Sequence, residues 1–232
     1  MSAFNNFREI VFDTETTGLS HENGDRIVDI GCVELINRVP TGNVYQAYVN
    51  PEREMSPGAV AISGITTDFL ADKPLFHEIV DDFLNFLGDA KLVIHNAKFD
   101  MGFLNSELKR AGRSPLNPEN VVDTLEIARK KFPGSPASLD ALCKRFGIDA
   151  SARLSHGALV DSRLLTEVYI NLLGGRQSDF SFSVEESPTV VASCPGKQQR
   201  EERFFKPSSE ELAAHRNFLK NLKSPLWDNM NA

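Results

Sequence analysis

Apolar residues along the chain fall into two patterns: short continuous runs, and longer segments in which they recur every three or four positions. Short runs rich in β-branched residues predict strands. We predict five strands, at residues 9–13, 27–35, 44–49, 91–95 and 121–123. Three strands in quick succession, followed by strands that alternate with helical segments, predict an α/β fold in which helices flank a mixed five-stranded sheet.

The helical pattern is clearest at residues 75–86, 97–111, 139–146 and 158–173. A glycine follows each of the last three segments, at Gly112, Gly147 and Gly174. Glycine just beyond the last periodic residue is a common end of a helix. We therefore predict that these helices end there and that one folded domain covers residues 1–175.

The composition changes after Gly174. Residues 176–207 are rich in Ser, Gln, Pro and charged side chains without periodicity, which predicts a flexible linker. Ser208 and Glu211 then form a capping box, and a short amphipathic pattern follows. A helix this short is marginal alone, so we predict that residues 208–232 dock on a partner. The alternative is that they fold back on the preceding domain.

The length of 232 residues suits one sizeable α/β domain with an extension. No apolar stretch reaches membrane-spanning length, and the N-terminus lacks the basic and apolar regions of a secretory signal. We therefore expect a cytoplasmic protein without a membrane partner. The net charge of −7 argues against a broad basic surface that coats nucleic acid, so any nucleic-acid site must be local. Divalent cations held by carboxylates could supply local positive charge.

Two carboxylates lie at the end of the first predicted strand. The alternation of side chains places Asp13 and Glu15 on one face, opposite Phe12 and Thr14. Gly18 follows in a turn where the backbone is open to a substrate. Taken alone, the pair is equally typical of a solvated strand end.

Two further carboxylates lie near the starts of helices. Asp100 stands in the first turn after the fourth predicted strand, where the helix dipole alone favours an acidic residue. Asp161 follows His156 on a segment with apolar neighbours, and burying an unpaired carboxylate there would be costly. A metal ion shared with other carboxylates removes that cost. The alternative is a surface ion pair with Arg153 or Arg163.

Carboxylates without a cluster of cysteines or histidines suit hard cations such as Mg²⁺ and Mn²⁺. Two such ions can activate water and stabilise the departing oxygen in phosphodiester cleavage, and a histidine can accept the proton near neutral pH. The sequence therefore predicts a phosphoryl-transfer site with Asp13, Glu15, Asp100 and Asp161 as metal ligands and His156 as proton acceptor.

Three segments, FDTETTG, HNAKFD and HGALVD, resemble the three motifs of the DEDDh branch of 3′-5′ exonucleases. Within that branch, RIVDIGCVEL, VDTLEIARKKFPG and SLDALCKRFGI resemble the epsilon-subunit family, the proofreading subunits of bacterial DNA polymerase III. The resemblance covers roughly residues 8–175. It implies a ribonuclease H-like fold and, in residues 1–175, a metal-dependent exonuclease that removes mispaired 3′ nucleotides from DNA with two Mg²⁺ or Mn²⁺ ions.

The resemblance also implies which residues hold each of the two ions. Asp13, Glu15 and Asp161 would hold one ion, and Asp13 would hold the other with water-mediated help from Asp100. His156 would be the general base.

Contacts to the terminal nucleotide would come, by the same resemblance, from Thr14, Thr16, Ile62 and Ile65. Relatives often have His where this chain has Ser63, which leaves open the hydrogen bond to the nucleotide at that position. The two isoleucines would form an apolar wedge that separates terminal bases. The alternative for them is packing within a short helix.

The linker contains Gln177, Phe180 and Phe182 in an order that resembles the Q-x-x-hydrophobic-x-Phe peptides of proteins that bind the bacterial sliding clamp. Two aromatic residues in a polar linker suit a pocket on a partner. A pattern this short also arises by chance.

The last segment resembles the part of the epsilon-subunit family that docks on the alpha (catalytic) subunit of polymerase III. Leu212, Phe218 and Trp227 would be its contact residues, with Trp227 as an anchor. A small third core subunit is a further partner that the resemblance leaves open.

Two alternatives for the function stay open at this point. RNA-trimming exonucleases of the same branch would carry the same motifs, and a non-catalytic adapter between clamp and polymerase would keep only the fold. The tail argues against the first, and the intact acidic set with His156 argues against the second.

Overall fold

The computed structural model describes residues 7–151, 156–175 and 206–221. The chain divides into two compact units, residues 1–180 and 181–232. The described strands are β1 (Arg8–Thr16), β2 (Ile27–Ile36), β3 (Val39–Tyr48), β4 (Lys91–Ile94) and β5 (Val121–Asp123). The described helices are α1 (Pro57–Ser63), α2 (Thr67–Leu70), α3 (Phe76–Leu87), α4 (Ala97–Arg110), α5 (Thr124–Lys131), α6 (Leu139–Phe146), α7 (Ala158–Leu172) and α8 (Ser209–Lys220).

The five strands form one sheet in the order β3-β2-β1-β4-β5. The pairs β1–β2 and β2–β3 are antiparallel, whereas β1–β4 and β4–β5 are parallel. The predicted mixed five-stranded sheet flanked by helices is therefore confirmed. Because β1, β4 and β5 run in the same direction, their carboxyl ends lie at one edge of the sheet, where the segments that follow them are brought together.

Three elements differ from the sequence prediction. β3 begins at Val39, because residues 39 and 40 pair with β2 across a tight turn in which Asn37 and Arg38 have positive φ. The first part of this edge strand is exposed and contains no continuous apolar run, so the hydrophobic pattern misses it. α2 and α5 were not among the predicted helices, although each begins at a capping side chain, Thr66 and Asp123 respectively.

Both faces of the central strand are covered. Ile10 and Phe12 pack on the side of α3 and α4, where the rings of Phe12 and Phe83 lie 6.0 Å apart. Val11 packs on the opposite side against Leu165 of α7. Burial on two faces explains why this strand appears in the sequence as a continuous apolar run rather than an alternating one.

The first turn of α7 lies directly on β2. A Cβ at Gly31 would lie 2.1 Å from the backbone carbon of Ala158, so the contact requires glycine. The hydroxyl of Ser162 donates to the carbonyl oxygen of Gly31 at 2.8 Å, and the backbone N–H of Ala158 donates to the carboxylate of Asp29 at 3.0 Å. These contacts hold the start of α7 beside β1, the strand next to β2.

The second unit contains α8. The predicted capping box at its start is confirmed: the backbone N–H of Glu211 donates to the hydroxyl of Ser208, and the backbone N–H of Ser208 donates to the carboxylate of Glu211. Leu212 and Phe218 are 40% and 60% exposed. Four residues with predicted partner contacts lie outside the described residues: Gln177, Phe180, Phe182 and Trp227. No helix in the described part of the chain has the length and apolar character needed to cross a bilayer.

Candidate active site

The two carboxylates of β1 face α7. In the β1–β2 ladder Asp13 pairs with Gly31 and Glu15 pairs with Asp29. Paired residues on adjacent strands point to the same face of a sheet. Because Gly31 and Asp29 both contact Ala158 of α7, Asp13 and Glu15 also project toward that helix.

Glu15, His156 and Asp161 come together at this edge of the sheet. One ligand atom from each lies within 4.8 Å of the others, and His156 Nδ1 is 3.2 Å from Asp161 Oδ2. The side chain of Asp161 is 5% exposed and that of His156 is 41% exposed. The backbone N–H of His156 donates to the carbonyl oxygen of Ile62 at 3.2 Å, which ties the histidine to α1. Three of the five predicted site residues therefore form one group.

Asp100 lies on the other side of β1. Its Oδ1 accepts the hydroxyl of Thr14 at 2.7 Å, and Thr14 is the residue between the two carboxylates of the strand. Burial raises the pKa of Asp100 to about 7, and the hydrogen bond from Thr14 opposes that rise. Thr14 thus contacts a predicted metal ligand, and its predicted contact to the nucleotide stays a prediction.

The start of α4 is capped from a distance. The backbone N–H groups of Asn96 and Ala97 both donate to the carboxylate of Asp123, at 3.1 Å. Asn96 has a φ of 64° and makes no capping bond with its own side chain. His95 Nδ1 lies 2.9 Å from the hydroxyl of Thr124, and burial lowers the pKa of His95. These contacts from the end of β5 set the position of the helix that carries the third predicted carboxylate.

The other residues predicted to contact the nucleotide differ in how far their side chains are already bonded or packed within the chain. The hydroxyl of Thr16 donates to the carbonyl oxygen of Gly18 at 2.6 Å. Ile62 is 54% exposed, whereas Ile65 is 8% exposed and belongs to a hydrophobic cluster. The hydroxyl of Ser63 donates to a carbonyl oxygen of α1 and accepts the backbone N–H of Ile65. Of the two isoleucines, only Ile62 presents a large apolar surface.

A cleft of 480 Å³ opens beside His156, and its lining includes Asp29, Ser63, Val160 and Arg163. A larger groove of 670 Å³ lies between β3 and α7 and includes none of the predicted site residues. The smaller cleft, and not the larger groove, is therefore the candidate substrate-binding site.

The residues at this edge fit a divalent cation. Two carboxylates and one imidazole offer donor atoms within 4.8 Å of one another, and carboxylate oxygens are the ligands that Mg²⁺ and Mn²⁺ prefer. Asp161 is nearly buried, where a negative charge is costly unless a cation accompanies it.

Residues 10–169 match the model of a family described as exonuclease. The chain is 51% identical over 221 residues to the DNA polymerase III subunit epsilon of Rickettsia felis, an alignment that covers 93% of this chain and 96% of that protein. The chain belongs to the exonuclease family, among the epsilon subunits. It is also 41% identical over 242 residues to the epsilon subunit of Haemophilus influenzae, with 95% and 94% of the two chains covered.

Solved structures agree with this family. Exonuclease X in complex with 5′ overhanging duplex DNA aligns with a TM-score of 0.56 and 29% identity, over 71% of this chain and 90% of that chain. The nuclease domain of 3′hExo, a DEDDh family member bound to rAMP, aligns with a TM-score of 0.62 and 18% identity, over 73% and 93%, and shows the fold. The predicted family, the ribonuclease H-like fold and the assignment as a metal-dependent exonuclease are confirmed.

Two residues that shape the site were missed by the sequence reasoning. Asp29 contacts the start of α7, and Asp123 contacts the start of α4. A signal for Asp29 was present, because a carboxylate inside a continuous apolar strand needs a hydrogen-bond donor. Asp123 ends a strand and gives no comparable signal.

Proposed function

We propose that this chain is the proofreading exonuclease of a bacterial replicative DNA polymerase and hydrolyses mispaired nucleotides from DNA 3′ ends. The observation that carries the proposal is the group formed by Glu15, His156 and Asp161 beside an open cleft. The relatives in Rickettsia felis and Haemophilus influenzae are epsilon subunits of DNA polymerase III, and the structure of exonuclease X holds duplex DNA with a 5′ overhang.

In this proposal Asp13, Glu15 and Asp161 would hold one Mg²⁺ or Mn²⁺ ion, and Asp13 would hold the other with water-mediated help from Asp100. When bound, the ions would lower the pKa of a water and neutralise charge on the departing oxygen of the phosphodiester. The chain contributes the shape of the site: α7 holds Asp161 against β1, and the bond from Thr14 holds Asp100 on the opposite side.

His156 acts as the proton acceptor. When its proton is on Nδ1, that nitrogen donates to Asp161 Oδ2 at 3.2 Å and leaves Nε2 free of a proton. The side chain is 41% exposed, so this nitrogen can meet a water in the cleft. A positioned general base contributes about 10²–10⁴-fold to the rate.

The substitution His156→Ala tests whether the histidine is a base or a metal ligand. We expect the rate of nucleotide release to fall by about 10²–10⁴-fold, while Mn²⁺ still binds the full chain in a titration followed by paramagnetic resonance. Loss of Mn²⁺ binding together with the rate would identify His156 as a ligand and contradict its role as base.

The metal assignment is tested by Asp13→Ala. Mg²⁺-dependent release of nucleotides from a 3′ end should be lost, because removing a shared ligand disrupts both ions. Asp82→Ala, which changes an exposed carboxylate on α3, is the matched control and should keep full activity. Unchanged release in Asp13→Ala would contradict the catalytic assignment of Asp13, whereas no release by the wild-type chain would favour the non-catalytic adapter.

Substrate class is tested with a mixture of DNA and RNA 3′ ends, matched and mismatched, assayed with Mg²⁺ and then with chelator. A proofreading enzyme should release nucleotides fastest from mismatched DNA and stop when the metal is removed. Faster release from RNA ends would favour the alternative of an RNA-trimming exonuclease.

Each part of the chain has its own role in this proposal. Residues 1–175 are the exonuclease domain, residues 176–207 are a linker with a clamp-binding peptide, and residues 208–232 dock on the polymerase. Deleting residues 208–232 should abolish co-purification with the polymerase alpha subunit and leave release from single strands intact. The paired substitution Leu212→Ala and Phe218→Ala should act in the same direction, since both side chains are exposed. Retained binding in both variants would refute docking through this segment.

The clamp contact has a separate test. Replacing Gln177 and Phe182 by alanine should weaken binding to the sliding clamp and leave binding to the polymerase subunit unchanged. Equal clamp affinity before and after would mean that the peptide pattern arose by chance. A small third core subunit would appear as a further protein in the same co-purification.

A further inference from the structure

Asp29 is a buried carboxylate for which the proposed chemistry has no role. It is 0% exposed and lies in β2, in register with Glu15 of β1. Its Oδ2 accepts the backbone N–H of Ala158 at 3.0 Å, and its Oδ1 accepts the side-chain amide of Gln46 at 3.4 Å. Burial raises the pKa of Asp29 to about 6, which reflects how poorly this position suits a charge. A carboxylate here therefore needs an explanation.

Asp29 supplies the cap that the start of α7 lacks. Gly157 is the N-cap residue and offers no side chain to accept a backbone N–H of the first turn. An acidic oxygen is also favoured at the positive end of the helix dipole. Because the bond joins residues 129 positions apart, it fixes the helix to the sheet as well as capping it.

Two of the site residues lie in this first turn of α7 or just before it. Asp161 lies about one turn after Ala158, and His156 lies two residues before Ala158. Glu15 lies on β1, directly opposite Asp29 in the ladder. The separation between Asp161 and Glu15 is therefore set across β2, through the contact between Asp29 and Ala158.

We propose that Asp29 is a positioning residue of the metal site, which holds the first turn of α7 so that Asp161 and His156 lie within reach of Glu15. The inference rests on the proposed function, because it requires that these residues hold a divalent cation. A cap with no further role would change the stability of α7 and leave metal affinity unaltered. Removing contacts that orient metal ligands typically lowers metal affinity by about 10–100-fold.

Mn²⁺ binding to the full chain, measured without DNA by the loss of the free-ion paramagnetic resonance signal, tests this role. Asp29→Ala should weaken binding by about 10–100-fold. Asp29→Asn keeps an acceptor oxygen for Ala158 and should restore the wild-type affinity. Tyr169→Phe is the matched control, because it removes another buried hydrogen bond between α7 and the sheet, to Glu9 of β1. It should lower the melting temperature and leave Mn²⁺ affinity unchanged.

Wild-type affinity in Asp29→Ala would overturn the positioning role, and so would an equal loss of affinity in Tyr169→Phe. Failure of Asp29→Asn to restore binding would also overturn it, because the effect would then come from charge. If Asp29→Ala does not fold, Asp29→Ser replaces it with a shorter polar side chain, and unchanged affinity in that variant would refute the proposal.

Asp13→Ala in the same titration separates two kinds of failure. If the wild-type chain does not bind Mn²⁺, or Asp13→Ala binds it equally well, the proposed function fails. If the wild-type chain binds Mn²⁺ and Asp13→Ala does not, wild-type Mn²⁺ affinity in Asp29→Ala overturns the positioning role alone.

Discussion

Replacing Gly31 by alanine adds one methyl group at the contact between β2 and α7. The new Cβ would lie 2.1 Å from the backbone carbon of Ala158, 2.3 Å from its carbonyl oxygen and 2.2 Å from the backbone nitrogen of Leu159. Carbon atoms in favourable contact lie roughly 3.5–4.0 Å apart. All three neighbours are backbone atoms, so no side-chain rotation relieves the clash. The first turn of α7 must move away from β2 by about 1 Å or more.

Two effects of different size follow from this displacement. Inserting a methyl group into a well-packed interior costs about 1–3 kcal/mol of the free energy of unfolding, which lowers the melting temperature by roughly 2–12 °C for a domain of this size. Activity is more sensitive, because a misplacement of about 1 Å can cost about 10²-fold in rate. The displaced turn carries Asp161, while Glu15 stays on β1. Gly31→Ala should therefore fold, yet release nucleotides about 10²-fold more slowly.

The assay compares Gly31→Ala with Gly58→Ala. A Cβ at Gly58 meets nothing within 4 Å, so that variant controls for the added methyl group without a clash. Melting is followed by circular dichroism, and nucleotide release is measured at temperatures where both variants are folded. A Gly31→Ala variant with wild-type rate and wild-type melting temperature would refute the reasoning, because it would show that α7 does not rest on β2 as described.

Two predictions concern stability. Arg26 is nearly buried and donates two hydrogen bonds to the carboxylate of Glu107, and this pairing raises the pKa of Arg26. In a urea titration, Arg26→Ala should lower the free energy of unfolding by about 3–5 kcal/mol, because it leaves a buried carboxylate unpaired. Arg113→Ala breaks an exposed ion pair and should lower it by at most about 1 kcal/mol. Burial raises the pKa of Glu9, so the stability that its neutral form contributes is present below the unfolded pKa near 4.5 and is lost as the pH rises through the folded pKa. Glu9→Gln should therefore match wild type in acid and become relatively more stable toward alkaline pH, and a difference that is constant with pH would contradict this sign.

The sequence predicts the strands, the helix ends and the three motifs because each of these depends on residues that are close together along the chain. Asp13 and Glu15 follow from the alternation of one strand, and Asp161 follows from one carboxylate among apolar neighbours. Asp29 and Gly31 could not be assigned in this way, since their contacts are to a helix about 130 residues later. A local pattern shows that a strand is buried, but it does not show which helix covers it or how closely.

The position of β1 between two helices explains why the site residues are dispersed through the sequence. Successive residues at the end of β1 point to opposite faces of the sheet. Glu15 lies near His156 and Asp161 on the α7 side, and the hydroxyl of Thr14 donates to Asp100 of α4 on the other side. Each helix is held at its first turn by a carboxylate from a different strand, Asp29 for α7 and Asp123 for α4. The two halves of the site can therefore be displaced independently. A change that moves α7 alters the position of Asp161 relative to β1, and a change at Asp123 alters that of Asp100. In the proposed function both halves contribute metal ligands at the end of one strand, so the buried carboxylates Asp29 and Asp123 would act by holding the helices that carry those ligands.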